Sequence, residues 1–307
     1  MVKPQVNGDK NCKDDQADLY KFSHNEENID METYNNFPKN FDVQSIIEAL
    51  TTGEGFAIIK NAVCKEDIQI IKERVLYFTE MQKEEHEQNE ALKWNENIDP
   101  IEKQNHFHGL IWGLINKGRI FEKLVLHPLI QNISHLLCGE DAQVLSYTAN
   151  TVAPGEPGQR PHIDYPYYPS FFPTDEKFCH SMMTQPLAIV FITLLTDFTV
   201  ENGGTALCPD SHKEPNFPKD HDAFFENAVQ VIGKPGDMLV MRSSVQHCAM
   251  PNKSSQIRSG VILHMGPCFV RPYENIPDSM DEEQKNRASE KLRTTLGLDN
   301  PFPRLKN

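Results

Sequence analysis

Residues 187–195 read LAIVFITLL, a short apolar run rich in β-branched and aromatic residues and preceded by Pro186, which is the composition of a strand. The same texture extends to either side. Residues 143–152 (QVLSYTANTV), 204–209 (GTALCP), 229–233 (VQVIG), 237–242 (DMLVMR) and 257–266 (IRSGVILHMG) are similar runs separated by Pro, Gly, Asn and Ser turn formers. About seven strands joined by irregular loops point to a sandwich or jelly roll, with its core over about 143–267. Upstream the periodicity changes. VQSIIEAL (43–50) reads as a short helix, GFAIIKNAV (55–63) as a strand, and residues 66–88 carry helical spacing through Ile68, Ile71, Val75, Phe78 and Met81. Residues 120–137 read as a second helical stretch, broken at His127-Pro128 and stopped by Gly139. A last helix is expected over about 281–296, ended by the prolines of PFPR. The fold expected is therefore mixed α/β with an all-β core and helices packed outside, a single domain over 41–307. Residues 1–40, polar and poor in aliphatics, read as a loosely packed leader without chemistry.

The chain of 307 residues has 38% hydrophobic and 24% charged residues, enough apolar material for a sizeable core. Its formal charge of -14 argues against nucleic acid or an anionic membrane surface as partner. No run approaches the length of a membrane span and the N-terminus lacks the apolar core of a secretory signal, so the expected location is cytoplasmic. Seven scattered cysteines without a C-x-x-C pair fit reduced thiols, Cys248 among them as a small buried apolar residue. Oligomeric state is not legible.

The segment GQRPHIDYPYYPSFFP places His162 and Asp164 two residues apart, so in extended backbone both side chains leave the same face and can converge on one ion. Alone the pair is weak, since the chain has twelve histidines. His247, in GDMLVMRSSVQHCAM, supplies a third ligand. Two histidines and one carboxylate cover one face of an octahedron and leave open positions, the arrangement of oxygen-activating Fe(II) enzymes. Arg258 follows in SSQIRSGVILHMG, whose alternation points Arg258, Gly260, Ile262 and His264 to one side of a strand. A buried guanidinium wants a carboxylate, either a structural partner or an acidic co-substrate. His106 and His108 form another close pair but lack a carboxylate or cysteine at metal spacing, and with His127, His135 and His180 they read as ordinary histidines. Tyr165, Tyr167 and Tyr168 follow the ligand pair and read equally as substrate-facing aromatics at the mouth of the roll or as loop packing.

The ordered set H-x-D, ENGGTALCPDSH, GDM, His247 and Arg258, over roughly 144–267, resembles the phytanoyl-CoA dioxygenase family. The resemblance implies a double-stranded β-helix, Fe(II), and 2-oxoglutarate and O2 as co-substrates, with His162, Asp164 and His247 on the iron and Arg258 on the distal carboxylate of 2-oxoglutarate. Gln159 matches a glutamine that touches the co-substrate in some similar fungal oxygenases; Arg160 reads as a substrate contact or an exposed loop residue. Asp210 stands where the family turn usually has glycine, which aspartate tolerates, and His212 looks like that family's structural turn histidine. An aliphatic near Ile192 stands where relatives often place an aromatic against 2-oxoglutarate.

The reaction implied is oxidation of an unactivated C–H bond, by hydroxylation, desaturation or ring closure, with release of succinate and CO2. Asp164 argues against halogenation, because halogenating relatives lack that carboxylate. A small biosynthetic metabolite is the preferred substrate and a fatty acyl-CoA the nearest alternative. A zinc-dependent hydrolase using the same ligands, which would not need Arg258 or O2, and a non-catalytic acid-binding module on the same roll are the rival classes.

Overall fold

The computed structural model describes residues 41–88, 109–165, 186–213, 218 and 220–299. Helix α1 (Val43–Thr51) is started by Asp42, whose carboxylate accepts from the Ser45 N–H at 3.1 Å, and it buries Ile46 and Leu50. Strand β1 (Phe56–Ile59) is shorter than the run 55–63. Asn61 takes a left-handed φ of 51° and donates its N–H to Asp237 at 3.0 Å, which turns the chain before Ala62 and Val63 can join a sheet. Helix α2 (Lys65–Gln88) buries Ile68, Ile71 and Val75, three and four residues apart. After β2 (Leu110–Ile111) come α3 (Arg119–Val125) and α4 (Pro128–Cys138), separated where expected at His127-Pro128.

The β elements are β3 (Gln143–Val152), β4 (Ile189–Leu194), β5 (Thr205–Leu207), β6 (Val229–Gln230), β7 (Met238–Arg242), β8 (His247–Ala249) and β9 (Arg258–Gly266), with α5 (His221–Asn227) before β6. They form two antiparallel sheets, a major one ordered β1-β7-β4-β9-β3-β2 and a minor one ordered β6-β5-β8.

Strand alternation assigns each face of the major sheet. Ile189 and Phe191 of β4, Met238 and Val240 of β7, and Val261, Leu263 and Met265 of β9 share a core with α1–α4. The residues between them, Val190, Ile192, Leu194, Leu239 and Met241, form a second core with Leu207 of β5, Phe198 and Val231. The central strands are therefore covered on both faces, which explains the nearly continuous apolar run 187–195. Each such side chain contributes roughly 1.5–3 kcal/mol on burial. The architecture is the mixed α/β one expected, two facing sheets with helices outside the larger.

The C-terminal region departs from the single helix expected over 281–296. Besides α6 (Ile276–Ser279), it forms α7 (Glu282–Arg287), opened by a capping box between Asp281 and Gln284, and α8 (Glu290–Thr295), capped by Ser289. Ala288, with ψ of 129°, separates the last two.

Candidate active site

Residue 162 and residue 247 face each other across an isolated antiparallel bridge. Each N–H donates to the other's carbonyl, at 2.9 and 2.8 Å, so the loop carrying His162 runs along β8 at the edge of the minor sheet. Asp164 is fixed next, its N–H donating to the Ser243 carbonyl at 2.9 Å. The i, i+2 spacing then sends His162 and Asp164 inward while Ile163 is fully buried on the other face.

Each histidine is oriented through its own backbone. His162 Nδ1 lies 2.8 Å from the Arg160 carbonyl and His247 Nδ1 2.9 Å from that of Val245, so each Nδ1–H donates and each Nε2 keeps its lone pair. Both Nε2 atoms face Asp164: 3.6 Å from Oδ1 for His162 and 3.4 Å from Oδ2 for His247. The three ligand atoms lie within 4.8 Å of one another. Ligands each about 2.1 Å from a shared ion stand about 3.0–3.4 Å apart, so this donor set fits a divalent cation with little adjustment.

Electrostatics treats the three groups differently. Burial, then the neighbouring His247, pushes His162 down to about 4, so it is neutral and able to ligate. Burial alone would depress His247, but the Asp164 carboxylate beside it overrides that and raises it. Burial likewise opposes ionisation of Asp164, yet His247 and His264 hold it well below the usual carboxylate range.

This candidate ligand set opens into a cavity of about 380 Å³ between the sheets. Arg258, Gly260, Ile262 and His264, the inward residues of β9, line one wall, and Ser146, Thr148 and Asn150 of β3 continue it. Arg258 is 5% exposed, packs its guanidinium over Phe198 at 5.0 Å and reaches Thr205 Oγ1 at 3.4 Å. Among the described residues no carboxylate lies within ion-pair distance of it, and its Nε has no partner. Burial pushes the guanidinium down to about 10.

The sequence pattern of the phytanoyl-CoA dioxygenase (PhyH) family matches residues 52–260, more than half of the chain. The chain belongs to that family. Among curated relatives, Dioxygenase andF of Emericella variicolor is 36% identical over 157 residues, 48% of this chain and 50% of that protein. Iron/alpha-ketoglutarate-dependent dioxygenase okaE of Penicillium ochrochloron is 31% identical, over 48% of this chain and 49% of that protein. Fe(II)/2-oxoglutarate-dependent dioxygenase nvfF of Aspergillus novofumigatus is 30% identical, over 56% and 57%. The chain thus spans about half the length of the curated relatives it matches. The crystal structure of EctD from S. alaskensis in its apoform shares the fold, with a TM-score of 0.54 over 77% of this chain and 80% of that one at 13% identity.

Within this PhyH chain, Gln159 lines the cavity, its Oε1 accepting from the Ala249 N–H at 3.2 Å. Arg160 is exposed, and its carbonyl orients His162. Tyr165 does not line the cavity. It lies on the Ile163 side of the alternation, packs with Leu145, Ala188 and Val270, and donates its hydroxyl to the Arg271 carbonyl at 2.7 Å. Its contacts among the described residues are those of loop packing. Tyr167, Tyr168, His106, His108 and His180 lie outside the described residues. His212 is buried against Gly55 and beside Arg242, away from the metal set, and Asp210 takes the left-handed φ of 64° that the turn requires. Ile192 does line the cavity, and Phe198 supplies the aromatic wall instead. Phe198 follows β4 in a loop, where alternation carries no signal. Tyr273 escaped the sequence reading for the same reason: its hydroxyl donates to the Asp164 carbonyl at 2.5 Å from a loop 109 residues away.

Proposed function

We propose that this chain is an Fe(II)- and 2-oxoglutarate-dependent dioxygenase that oxidises a C–H bond of a small, uncharged metabolite, in a biosynthetic role. One observation carries the reading: a two-histidine, one-carboxylate set and a buried arginine without a carboxylate partner among the described residues share one cavity. His162, Asp164 and His247 would hold the iron. When bound, the iron would couple oxidative decarboxylation of 2-oxoglutarate, to succinate and CO2, to oxidation of the substrate by O2.

The chain's own residues do the rest. Arg258 binds the distal carboxylate of 2-oxoglutarate, with the Thr205 hydroxyl beside it, and Phe198 keeps water from that ion pair. Gln159 has its carbonyl oxygen committed to Ala249 and presents its amide nitrogen for a co-substrate oxygen. Leu110, Trp112, Thr148 and Asn150 form a neutral wall for the substrate, apolar with a few hydrogen-bonding tips. Histidines apart, Arg258 is the sole cationic residue among the described lining residues, so the wall offers nothing to the phosphates of an acyl-CoA. The cavity volume falls near the lower end of about 300–1,000 Å³ for small-molecule sites, which suits a compact substrate beside the co-substrate. No helix among the described residues is long and apolar enough to cross a membrane.

The test is an anaerobic titration of metal-free protein with Fe(II) and 2-oxoglutarate. The visible charge-transfer band of the chelated complex is expected in the wild type and absent in His247→Ala. A folded, iron-loaded wild type without the band would overturn the assignment in favour of a hydrolase or a binding module.

A further inference from the structure

We propose that His264 is a positioning residue that holds the Asp164 carboxylate ready for the metal. The inference rests on the metal-binding reading above and adds to it a residue outside the ligand set. His264 lies six residues beyond Arg258 on β9, so both face the cavity from one strand. Its Nε2 is 3.1 Å from Asp164 Oδ2, while its ring stays outside the group of three ligand atoms.

A carboxylate only accepts, so the Nε2 of His264 carries the proton in this contact. The ring is 7% exposed, and its Nδ1 has no hydrogen-bond partner among the described residues. Burying an imidazole costs free energy that an apolar residue would not incur. Among the described residues the ring's one hydrogen bond is with Asp164, and that contact is what the burial serves.

Tyr273 completes the arrangement. Its ring meets His264 edge-on, with centroids 6.2 Å apart and planes at 90°, and its hydroxyl holds the main-chain carbonyl of the same Asp164 at 2.5 Å. Asp164 is thus held by side chain and by backbone from β9 and the loop after it, while the histidine ligands come from the minor-sheet side. With Oδ2 engaged by His264, the rotation of the carboxylate is fixed before an ion arrives. Such outer partners are worth roughly 10- to 100-fold in metal affinity.

The experiment compares Co(II) binding, anaerobically and without co-substrate, to the full chain and its variants, with thermal unfolding measured on each. His264→Phe is expected to bind Co(II) roughly 10- to 100-fold more weakly than wild type. His264→Gln, whose amide can still donate to Oδ2, should recover part of the loss, and His264→Asn, which is too short, should not. Unchanged Co(II) affinity in folded His264→Phe, beside a wild type that binds and an Asp164→Ala that does not, overturns the positioning role alone. Should His264→Phe fail to fold, equal affinities for the Gln and Asn variants overturn it. A wild type that takes up no Co(II) overturns the metal reading and this proposal together.

Discussion

Arg258 illustrates how a single side chain can be costly to the fold and indispensable to the site. At 5% exposure and with its guanidinium pushed down to about 10, the charged form is disfavoured by roughly 3 kcal/mol in the folded state, a cost fully present at neutral pH and relieved only above about pH 10. Replacing it by an apolar residue of similar length removes that cost. Arg258→Met is therefore expected to raise the unfolding free energy of the ligand-free protein by about 1–3 kcal/mol, measured by urea denaturation. The same variant should lose the thermal stabilisation that 2-oxoglutarate gives the metal-loaded wild type. A destabilised Arg258→Met would show that the arginine has a structural partner instead. Four residues of this site, His162, Asp164, His247 and Arg258, were legible in sequence because residue type and spacing carry their chemistry. The inward face of His264 was legible too, from β9 alternation. Its contact with Asp164 was not, because it joins residues 100 apart through sheet pairing.

Among the elements, α4 depends on His127 as its N-cap, a residue that reads in sequence as an ordinary histidine. His127 Nδ1 accepts from the Leu129 N–H at 3.2 Å, and its Nε2–H donates to the Ala62 carbonyl at 3.0 Å. Both bonds together need the neutral ring, and burial pushes His127 down to about 4. The unfolded chain, titrating near 6.5, binds the proton first as pH falls, so this contribution to stability is complete above about pH 6.5 and is lost between there and about pH 4. His127→Asn keeps a capping oxygen but no titration. Between pH 7 and pH 4.5 wild type should lose about 2 kcal/mol more than this variant in urea unfolding. Equal losses would show that His127 is not held neutral. The break at His127-Pro128 was visible in sequence because proline punctuates helices. The break at Ala288 was not, because Ser289 caps α8 inside a run whose apolar spacing continues to Leu292 and Leu296.

At the scale of the whole molecule, the two sheets are joined by packing between β4, β7 and β5 and by no strand pairing among the described residues. The metal site spans that division. His247 belongs to β8 and His162 is bridged to it on the minor sheet, whereas Asp164 is tied through His264 to β9 of the major sheet. An ion held by all three would therefore act as a strap across the open end of the sandwich, and its binding free energy adds to the stability of the folded state. At a free metal concentration about 100 times the Kd this amounts to about 2.7 kcal/mol. In a chain of this size that corresponds to a Tm rise of roughly 4 °C, which a chelator should reverse. Location gives the sharper test. Hydrogen exchange should slow on metal loading in β8 and residues 160–165, which have few strand partners, and change little in β4 and the middle of β9, already paired on both sides. Uniform slowing over both sheets would mean that the ion stabilises the global fold without strapping this end. Absence of any change at β8 would remove His247 from the metal.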